Sequence, residues 1–174
     1  MTTYDFDRVK MRQRNISSGT FECMVYREWR NPREVTIFTS STYKWEYLNA
    51  MGLTTSPKTK VYIPQRWNKA EFYTMWRFNA VRLESVDYNE FWEWRRSYSI
   101  EIDAFQGTEY LGGANLLNPN DFDILRPVVE FCVKHNINKP SLDTHAGNWL
   151  RCPVTGHIYP YDIMHIPRDL EKIR

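Results

Sequence analysis

Three polar residues in the last third of the chain have types and spacing that suit phosphoryl-transfer chemistry. Asp143 is followed by Asn148 five residues later and by Asp162 fourteen residues after that. A carboxylate can take a proton from a hydroxyl, and an amide oxygen and a second carboxylate can share a hard cation such as Mg²⁺. The set therefore offers one base or orienting group and two metal ligands, which are the parts that phosphoryl transfer requires.

A hairpin between Asn148 and Asp162 is predicted to position these residues. Trp149 and Leu150 form a first short strand, residues 153–156 form a Pro-Val-Thr-Gly turn, and a second strand leads to Asp162. Because the second strand runs back along the first, we expect Asn148 and Asp162 to lie close together, with Asp143 just upstream on the loop.

The rest of the chain alternates between strand and helix patterns. The predicted strands are residues 16–26 (with a leading turn), 34–39, 61–63 and 71–81. The predicted helices are residues 43–51, 88–98 and a long one from Asn118 to about His135. Ser40 or Ser41 is expected to cap the first helix, and an Asp87–Glu90 capping box the second. Residues 106–118 are predicted to be a loop.

Composition and charge limit the function classes. The chain has 174 residues, of which 42% are hydrophobic and 25% charged, as in ordinary globular proteins. A net charge of +2 makes nucleic-acid binding an unfavoured function. Three cysteines without framework spacing fit a reducing cytoplasm, and no apolar run approaches the length of a membrane span. We therefore expect a cytoplasmic protein that does not associate with membranes.

The residues from Pro140 to His165 resemble the catalytic and metal-binding loops of the protein-kinase-like superfamily, in the D-x-H-x-x-N form of several bacterial and phage kinases. In this resemblance Asp143 matches the catalytic-loop aspartate, Asn148 the metal-binding asparagine and Asp162 the aspartate of D-F-G.

The resemblance implies an α+β, bilobal fold. Residues 1–83 would form an antiparallel-sheet N-lobe with one helix. Residues 84–174 would form a truncated, mainly helical C-lobe that carries the catalytic and metal loops.

The resemblance also implies ATP and Mg²⁺, with Asn148 and Asp162 as the metal ligands. Gly19 and Phe21 would belong to the hairpin that covers the phosphates. Glu46 would be the glutamate of the N-lobe helix. The backbone of Asn79 and Ala80 would form the hinge that binds adenine.

Some family features are missing from the sequence. The strand at residues 34–39 lacks the lysine of V-A-I-K, and the nearby Lys44 belongs to the following helix. Ser141-Leu142 replaces the His-Arg of H-R-D, and Ile163-Met164 follows Asp162 in place of Phe-Gly. The missing lysine weakens the case for nucleotide chemistry, whereas the three retained polar groups favour it.

Two functions remain open on these observations. One is an atypical minimal phage-type serine/threonine protein kinase that transfers the γ-phosphate of ATP to a hydroxyl of a host protein during host takeover. The other is a pseudokinase, a catalytically inactive kinase-like fold that binds or inhibits a host factor. Either would act in the cytoplasm of an infected bacterial host if the protein is encoded by a phage.

Soft metal ligands and aromatic residues offer further interpretations. The Cys and His residues near the loop are Cys132, His135, His145, Cys152 and His157. A zinc-dependent nuclease of His-Asn-His type is a third interpretation, although Cys132 lies on an apolar helix stripe and His145 is expected to brace the loop. The helix at residues 88–98 is expected to carry Phe91, Trp92 and Trp94 on one apolar side. Its segment from Trp92 to Tyr98 is either an amphipathic helix with buried tryptophans or a surface for a nucleic acid or a partner protein.

Overall fold

The computed structural model describes residues 12–13, 23–27, 30–41, 43–64, 72–108, 117–137 and 141–165. The chain divides into two compact units, Met1–Arg82 and Leu83–Arg174. The described residues form α+β structure with antiparallel sheets, as the sequence predicts. Within those ranges no helix has the length and apolar character that crossing a membrane requires.

The first unit is built on a five-stranded antiparallel sheet. Its strands are β1 (Arg12–Gln13), β2 (Cys23–Arg27), β3 (Glu34–Thr39), β4 (Thr59–Pro64) and β5 (Phe72–Val81), in the spatial order β1-β2-β3-β5-β4. β3 has the predicted bounds and lies at the centre, where its side chains from Val35 to Thr39 are all buried. Ile37 of β3 is opposite Phe78 of β5, and both are fully buried, so this pair marks the core of the sheet.

One helix, α1 (Lys44–Ala50), connects β3 to β4 and buries Tyr47 and Leu48. It ends as predicted at Gly52, whose φ of 71° lies in the left-handed region that glycine adopts without strain. The predicted serine cap is wrong. Tyr43 precedes the helix, and Ser41 Oγ accepts a hydrogen bond from the Tyr43 N–H (3.3 Å), before the first turn begins.

In the part of the second unit that the structure describes, the α-helices with defined bounds are α2 (Tyr88–Arg96), α3 (Ser99–Gln106) and α4 (Arg126–Lys134). Short 3-10 turns occur at Pro119–Asp121 and Ala146–Asn148. α2 agrees with the predicted helix at residues 88–98. α3 was not predicted, although Ile102 and Phe105 sit three residues apart on its buried face.

The long helix predicted from Asn118 is wrong in its first half, because α4 begins only at Arg126. The Asn118 side chain caps a separate 3-10 turn instead. The Glu101 carboxylate of α3 accepts hydrogen bonds from the N–H groups of Asp123 and Ile124, at 2.7 and 3.0 Å. In a continuous helix these two N–H groups would donate to carbonyls of the preceding turn, but here they donate to Glu101.

The strands of the second unit are short and flank the candidate site. They are β6 (Glu84–Ser85), β7 (Ser141–Leu142), β8 (Leu150–Arg151), β9 (Ile158–Tyr159) and β10 (Met164–His165). β6, β8 and β9 form one antiparallel sheet, and β7 pairs with β10 in another. The β8–β9 pair confirms the hairpin predicted between Asn148 and Asp162.

Candidate functional site

Two backbone hydrogen bonds join the segments that carry the three predicted site residues. We call these segments, residues 143–149 and 160–163, the loop pair. The Asp143 N–H donates to the Ile163 carbonyl (2.7 Å), and the Asp162 N–H donates to the Asn148 carbonyl (3.0 Å). The β7–β10 ladder flanks the first of these bonds. The structure therefore brings the backbones of Asp143, Asn148 and Asp162 together, as the hairpin prediction required.

Asn148 has an orientation that suits a metal ligand. Its Nδ2 donates to the backbone carbonyl of Asp143 (2.8 Å), which turns the amide oxygen away from that carbonyl. Asn148 and Asp162 are both half-buried beside one another. Two oxygen ligands suit Mg²⁺, which keeps several waters or phosphate oxygens in its octahedral shell. The loop pair therefore offers an amide oxygen and a carboxylate, which are the types of oxygen ligand that Mg²⁺ takes.

Residues in the core of the second unit pack against the loop pair and hydrogen-bond to it. Trp149 is fully buried, and its indole N–H donates to the Thr144 carbonyl (3.1 Å). Its ring packs against Trp94 and Phe91 of α2, with centroids 5.4 and 5.9 Å away. The Gln106 amide at the end of α3 donates to the Thr144 hydroxyl. Two helices that precede the loop by many residues thus fix its conformation.

His145 braces the first segment of the loop pair, as expected. Its Nδ1 accepts a hydrogen bond from the Gly147 N–H (3.0 Å), within the 3-10 turn Ala146–Asn148. Its Nε2 lies 3.5 Å from Oδ2 of Asp143, whose side chain is 65% exposed. The Asp143 carboxylate is therefore open to a substrate on one side and faces an imidazole on the other.

Ion pairs connect the hairpin to neighbouring elements. Arg151 of β8 bonds the carboxylates of Glu90 on α2 and Glu84 on β6. The hydrogen bonds that Arg151 donates to Glu90 and then to Glu84 raise the pKa of Arg151. Glu90 was predicted to complete a capping box, yet its carboxylate bonds Arg151. Asp87 alone caps α2, accepting from the N–H groups of Asn89 and Glu90.

The residues predicted to bind nucleotide lie in the first unit. Gly19 and Phe21 fall outside the described residues. Glu46 is half-buried on α1, the helix that the family resemblance assigned to it. Lys44, on the same helix, is buried with its Nζ 5.6 Å from the centre of the Tyr47 ring.

Asn79 and Ala80 lie inside β5, whereas the hinge interpretation required a connecting segment. The Asn79 N–H donates to Ser56 Oγ (2.7 Å), and its carbonyl accepts from the Thr55 N–H (2.8 Å). Its side-chain oxygen accepts from the Thr36 hydroxyl (3.1 Å), and Ala80 is fully buried. The Asn79 N–H could therefore donate to adenine only after its bond to Ser56 were broken, because each residue has a single backbone donor.

The soft ligands do not form a zinc site in the described part of the chain. Cys132 is fully buried, with its Sγ 3.4 Å from Met164 Sδ, and burial raises its pKa to about 12. The His135 ring packs on Phe131 at 4.6 Å. Among the residues that the structure describes, no three His, Cys, Asp or Glu side chains are arranged around a common metal position. The core role predicted for Cys132 is confirmed.

The aromatic residues of α2 divide between the core and the surface. Phe91 is buried and Trp94 half-buried, but Trp92 is 41% exposed and Tyr88 is 65% exposed. The Arg95 guanidinium lies 5.4 Å from the centre of the Trp92 ring. The prediction that placed Trp92 on the same apolar side as Phe91 and Trp94 is therefore wrong.

Comparisons with protein-family models, with curated proteins and with solved structures found no match for this chain. The function of the loop pair is therefore inferred from its own geometry. That geometry is an exposed carboxylate at Asp143, with an oriented amide and a second carboxylate joined to it through the backbone.

Proposed function

We propose that the protein is an atypical, minimal kinase-like phosphotransferase that moves the γ-phosphate of ATP to a protein hydroxyl. The observation that carries the proposal is the bonding of Asn148, which donates to the Asp143 carbonyl and accepts from the Asp162 N–H. Asn148 thus hydrogen-bonds to the backbone of both the proposed base, Asp143, and the proposed metal ligand, Asp162. The chain order of three strands, a helix and two strands in the first unit also supports a kinase-like fold.

The proposed roles follow from the chemistry of each side chain. Asp143 accepts a hydrogen bond from the acceptor hydroxyl and takes its proton as the new oxygen–phosphorus bond forms. The Asn148 amide oxygen and the Asp162 carboxylate would hold Mg²⁺. When bound, Mg²⁺ neutralises charge on the phosphate oxygens. The leaving ADP carries away the electron pair of the broken phosphorus–oxygen bond.

Isosteric substitutions in a labelled-phosphate assay test this proposal. Asp143→Asn removes the base, so we expect transfer to fall by about a hundredfold to ten-thousandfold while Mg²⁺-ATP still binds. Asp162→Asn removes the anionic ligand, so we expect both Mg²⁺-dependent ATP binding and transfer to fall. Asp121→Asn is the matched control, because Asp121 is an exposed carboxylate in a 3-10 turn outside the loop pair.

Binding is measured by calorimetry with ATP, with and without Mg²⁺, and transfer by autophosphorylation and by labelling of bacterial lysate. Wild-type protein that neither binds ATP nor transfers phosphate would refute the enzyme proposal. Equal activity in wild-type, Asp143→Asn and Asp121→Asn proteins would refute the assignment of the base.

A catalytically inactive binding protein is the second candidate. Two observations favour it: β3 (Glu34–Thr39) carries no lysine, and the Asn79 backbone is engaged within the first unit. This candidate predicts that a bacterial host factor binds wild-type and Asp143→Asn,Asp162→Asn proteins with equal affinity. Loss of that binding in the double variant would contradict it.

A further inference from the structure

We propose that His145 is a positioning residue of the loop pair, held as the neutral tautomer with its proton on Nε2, and that Gly147 leaves the space for its ring. The effect on catalysis rests on the proposed phosphotransfer. The tautomer and the contacts of the ring can be tested whether or not the protein is an enzyme.

The hydrogen bond to Nδ1 determines the tautomer. The Gly147 N–H donates to Nδ1 at 3.0 Å, and an N–H donor requires a lone pair on its acceptor. Nδ1 is therefore unprotonated, and the single proton of the neutral imidazole resides on Nε2.

The protonated nitrogen faces the proposed base. Nε2 lies 3.5 Å from Oδ2 of Asp143, a distance that can shorten when a substrate completes the site. Holding one carboxylate oxygen leaves the other for the acceptor hydroxyl. Because Nε2 already carries a proton, Asp143 cannot pass a proton to it, so His145 orients the carboxylate and does not relay protons.

Gly147 leaves room for the ring in its observed position. A Cβ added at Gly147 would lie 2.9 Å from Cε1 of His145, closer than Cβ atoms pack, and 3.1 Å from Nδ1, so the ring would have to shift. The Gly147 backbone is outside the positive-φ region that favours glycine, so alanine fits its conformation and only displaces the ring. An alanine there would therefore test the position of the imidazole without removing it.

His145 also contacts Asn148 through its backbone. The His145 carbonyl accepts a hydrogen bond from the Asn148 N–H (3.0 Å) in the same 3-10 turn that Nδ1 closes. The imidazole thus faces the Asp143 carboxylate with Nε2 and, through Nδ1, closes the turn that leads to Asn148.

Two isosteric variants separate the two nitrogens. In His145→Asn, Oδ1 replaces Nδ1 as the acceptor for Gly147, but the donor to Asp143 is lost. In His145→Gln, the amide nitrogen can reach the position of Nε2, but the acceptor for Gly147 is lost. His145→Ala loses both contacts, and Gly147→Ala keeps the histidine but moves it.

We expect His145→Asn to lower kcat by about tenfold with the KM for ATP unchanged. Removing a side chain that orients a reacting group typically lowers activity by about this factor. His145→Gln should recover part of kcat, and Gly147→Ala should lower it although every titratable group remains. His157→Gln, a change of an exposed histidine on the hairpin, is the control and should match the wild type. Wild-type kcat in both His145→Asn and Gly147→Ala would overturn the positioning role.

Nitrogen NMR of the imidazoles gives a readout that needs no activity. The chain has four histidines, and the signals missing from His145→Asn identify those of His145. We expect one unprotonated Nδ1 signal and one protonated Nε2 signal, with both shifted in Gly147→Ala. A proton on Nδ1, or equal populations of the two tautomers, would overturn the inference. Absent phosphate transfer together with the expected tautomer would refute the proposed enzyme and leave the assignment of the His145 contacts in place.

Discussion

Trp149 is the residue that connects the candidate site to the core of the second unit. Its ring is buried against α2, while its indole N–H holds the Thr144 carbonyl of the loop pair. Replacing it with phenylalanine keeps most of the apolar contact but leaves the half-buried Thr144 carbonyl without this donor. We expect Trp149→Phe to lower the free energy of unfolding by about 1–3 kcal/mol.

Urea unfolding followed by circular dichroism measures this change. Trp92→Phe is the matched control, because Trp92 is 41% exposed on α2 whereas Trp149 is fully buried, and it should alter stability by less than about 0.5 kcal/mol. Equal losses in the two variants would contradict the anchoring role of Trp149.

Cys132 gives a pH-dependent prediction. Burial raises the pKa of its thiol from the ordinary 9.0 to about 12. Between these values the unfolded chain has lost the proton that the folded protein keeps. The contribution to stability is therefore complete below about pH 9 and is lost as the pH rises towards 12.

We expect the free energy of unfolding of the wild type to fall more steeply with pH than that of Cys132→Ala, from about pH 8 to about pH 10. The measurement is urea unfolding at several pH values. Hydrogen bonds from Thr155 lower the pKa of Cys152, which acts in the opposite direction but is common to both proteins. Parallel pH profiles would contradict the prediction.

At the residue scale, the sequence predicted the parts of the site that depend on local spacing. Asn148 and Asp162 lie at the two ends of one hairpin, and Asp143 lies five residues before it, so the three residues come together when the hairpin forms. The turn between its two short strands can be recognised in the sequence. The contacts of Trp149 with α2 and of Gln106 with Thr144 could not be predicted, because they join residues 38 or more positions apart. Only the packing of helices against the loop creates them.

At the scale of elements, α2 is the helix on which the site depends most. Its N-terminus is capped by Asp87, and its body carries Phe91 against Trp149 and Glu90 against Arg151. Removing the cap leaves two N–H groups of the first turn without their acceptor. We expect Asp87→Ala to lower the free energy of unfolding by about 1 kcal/mol.

Asp87→Ser should retain nearly all of the wild-type stability, because a hydroxyl can accept the same bonds. Urea unfolding compares the three proteins. A serine variant as unstable as the alanine variant would show that Asp87 acts through its charge at the helix N-terminus and not through its hydrogen bonds.

Elements with strong local patterns were predicted well, and those set by distant partners were not. β3 and the glycine end of α1 follow from β-branched residues and from Gly52. The start of α4 depends on Glu101, which lies 22 and 23 residues before the backbone groups it bonds. A periodic apolar pattern cannot reveal that a remote carboxylate interrupts the helix.

At the scale of the whole molecule, the division into two compact units predicts that a substitution in the core of one unit destabilises that unit and not the other. Phe78 is fully buried in the sheet of the first unit, so Phe78→Ala should cost about 3–5 kcal/mol there. Hydrogen exchange should then accelerate in β3, β4 and β5, while α4 of the second unit keeps its protection.

Phe91→Ala, which empties a fully buried position in the second unit, is the reciprocal variant. It should accelerate exchange in α2 and α4 and leave β3 and β5 protected. Uniform acceleration across both units in either variant would mean that the chain unfolds as one cooperative body.

The backbone bonds of the loop pair have a consequence for the evolution of such a protein. Asp143 and Asp162 are positioned by their main-chain N–H groups, which every residue except proline possesses. One nucleotide change in either codon could therefore exchange a carboxylate for an amide and remove the proposed chemistry while the surrounding surface kept its shape. A lineage with this architecture could lose the proposed catalysis and retain a partner, or regain that catalysis by the reverse change, without refolding.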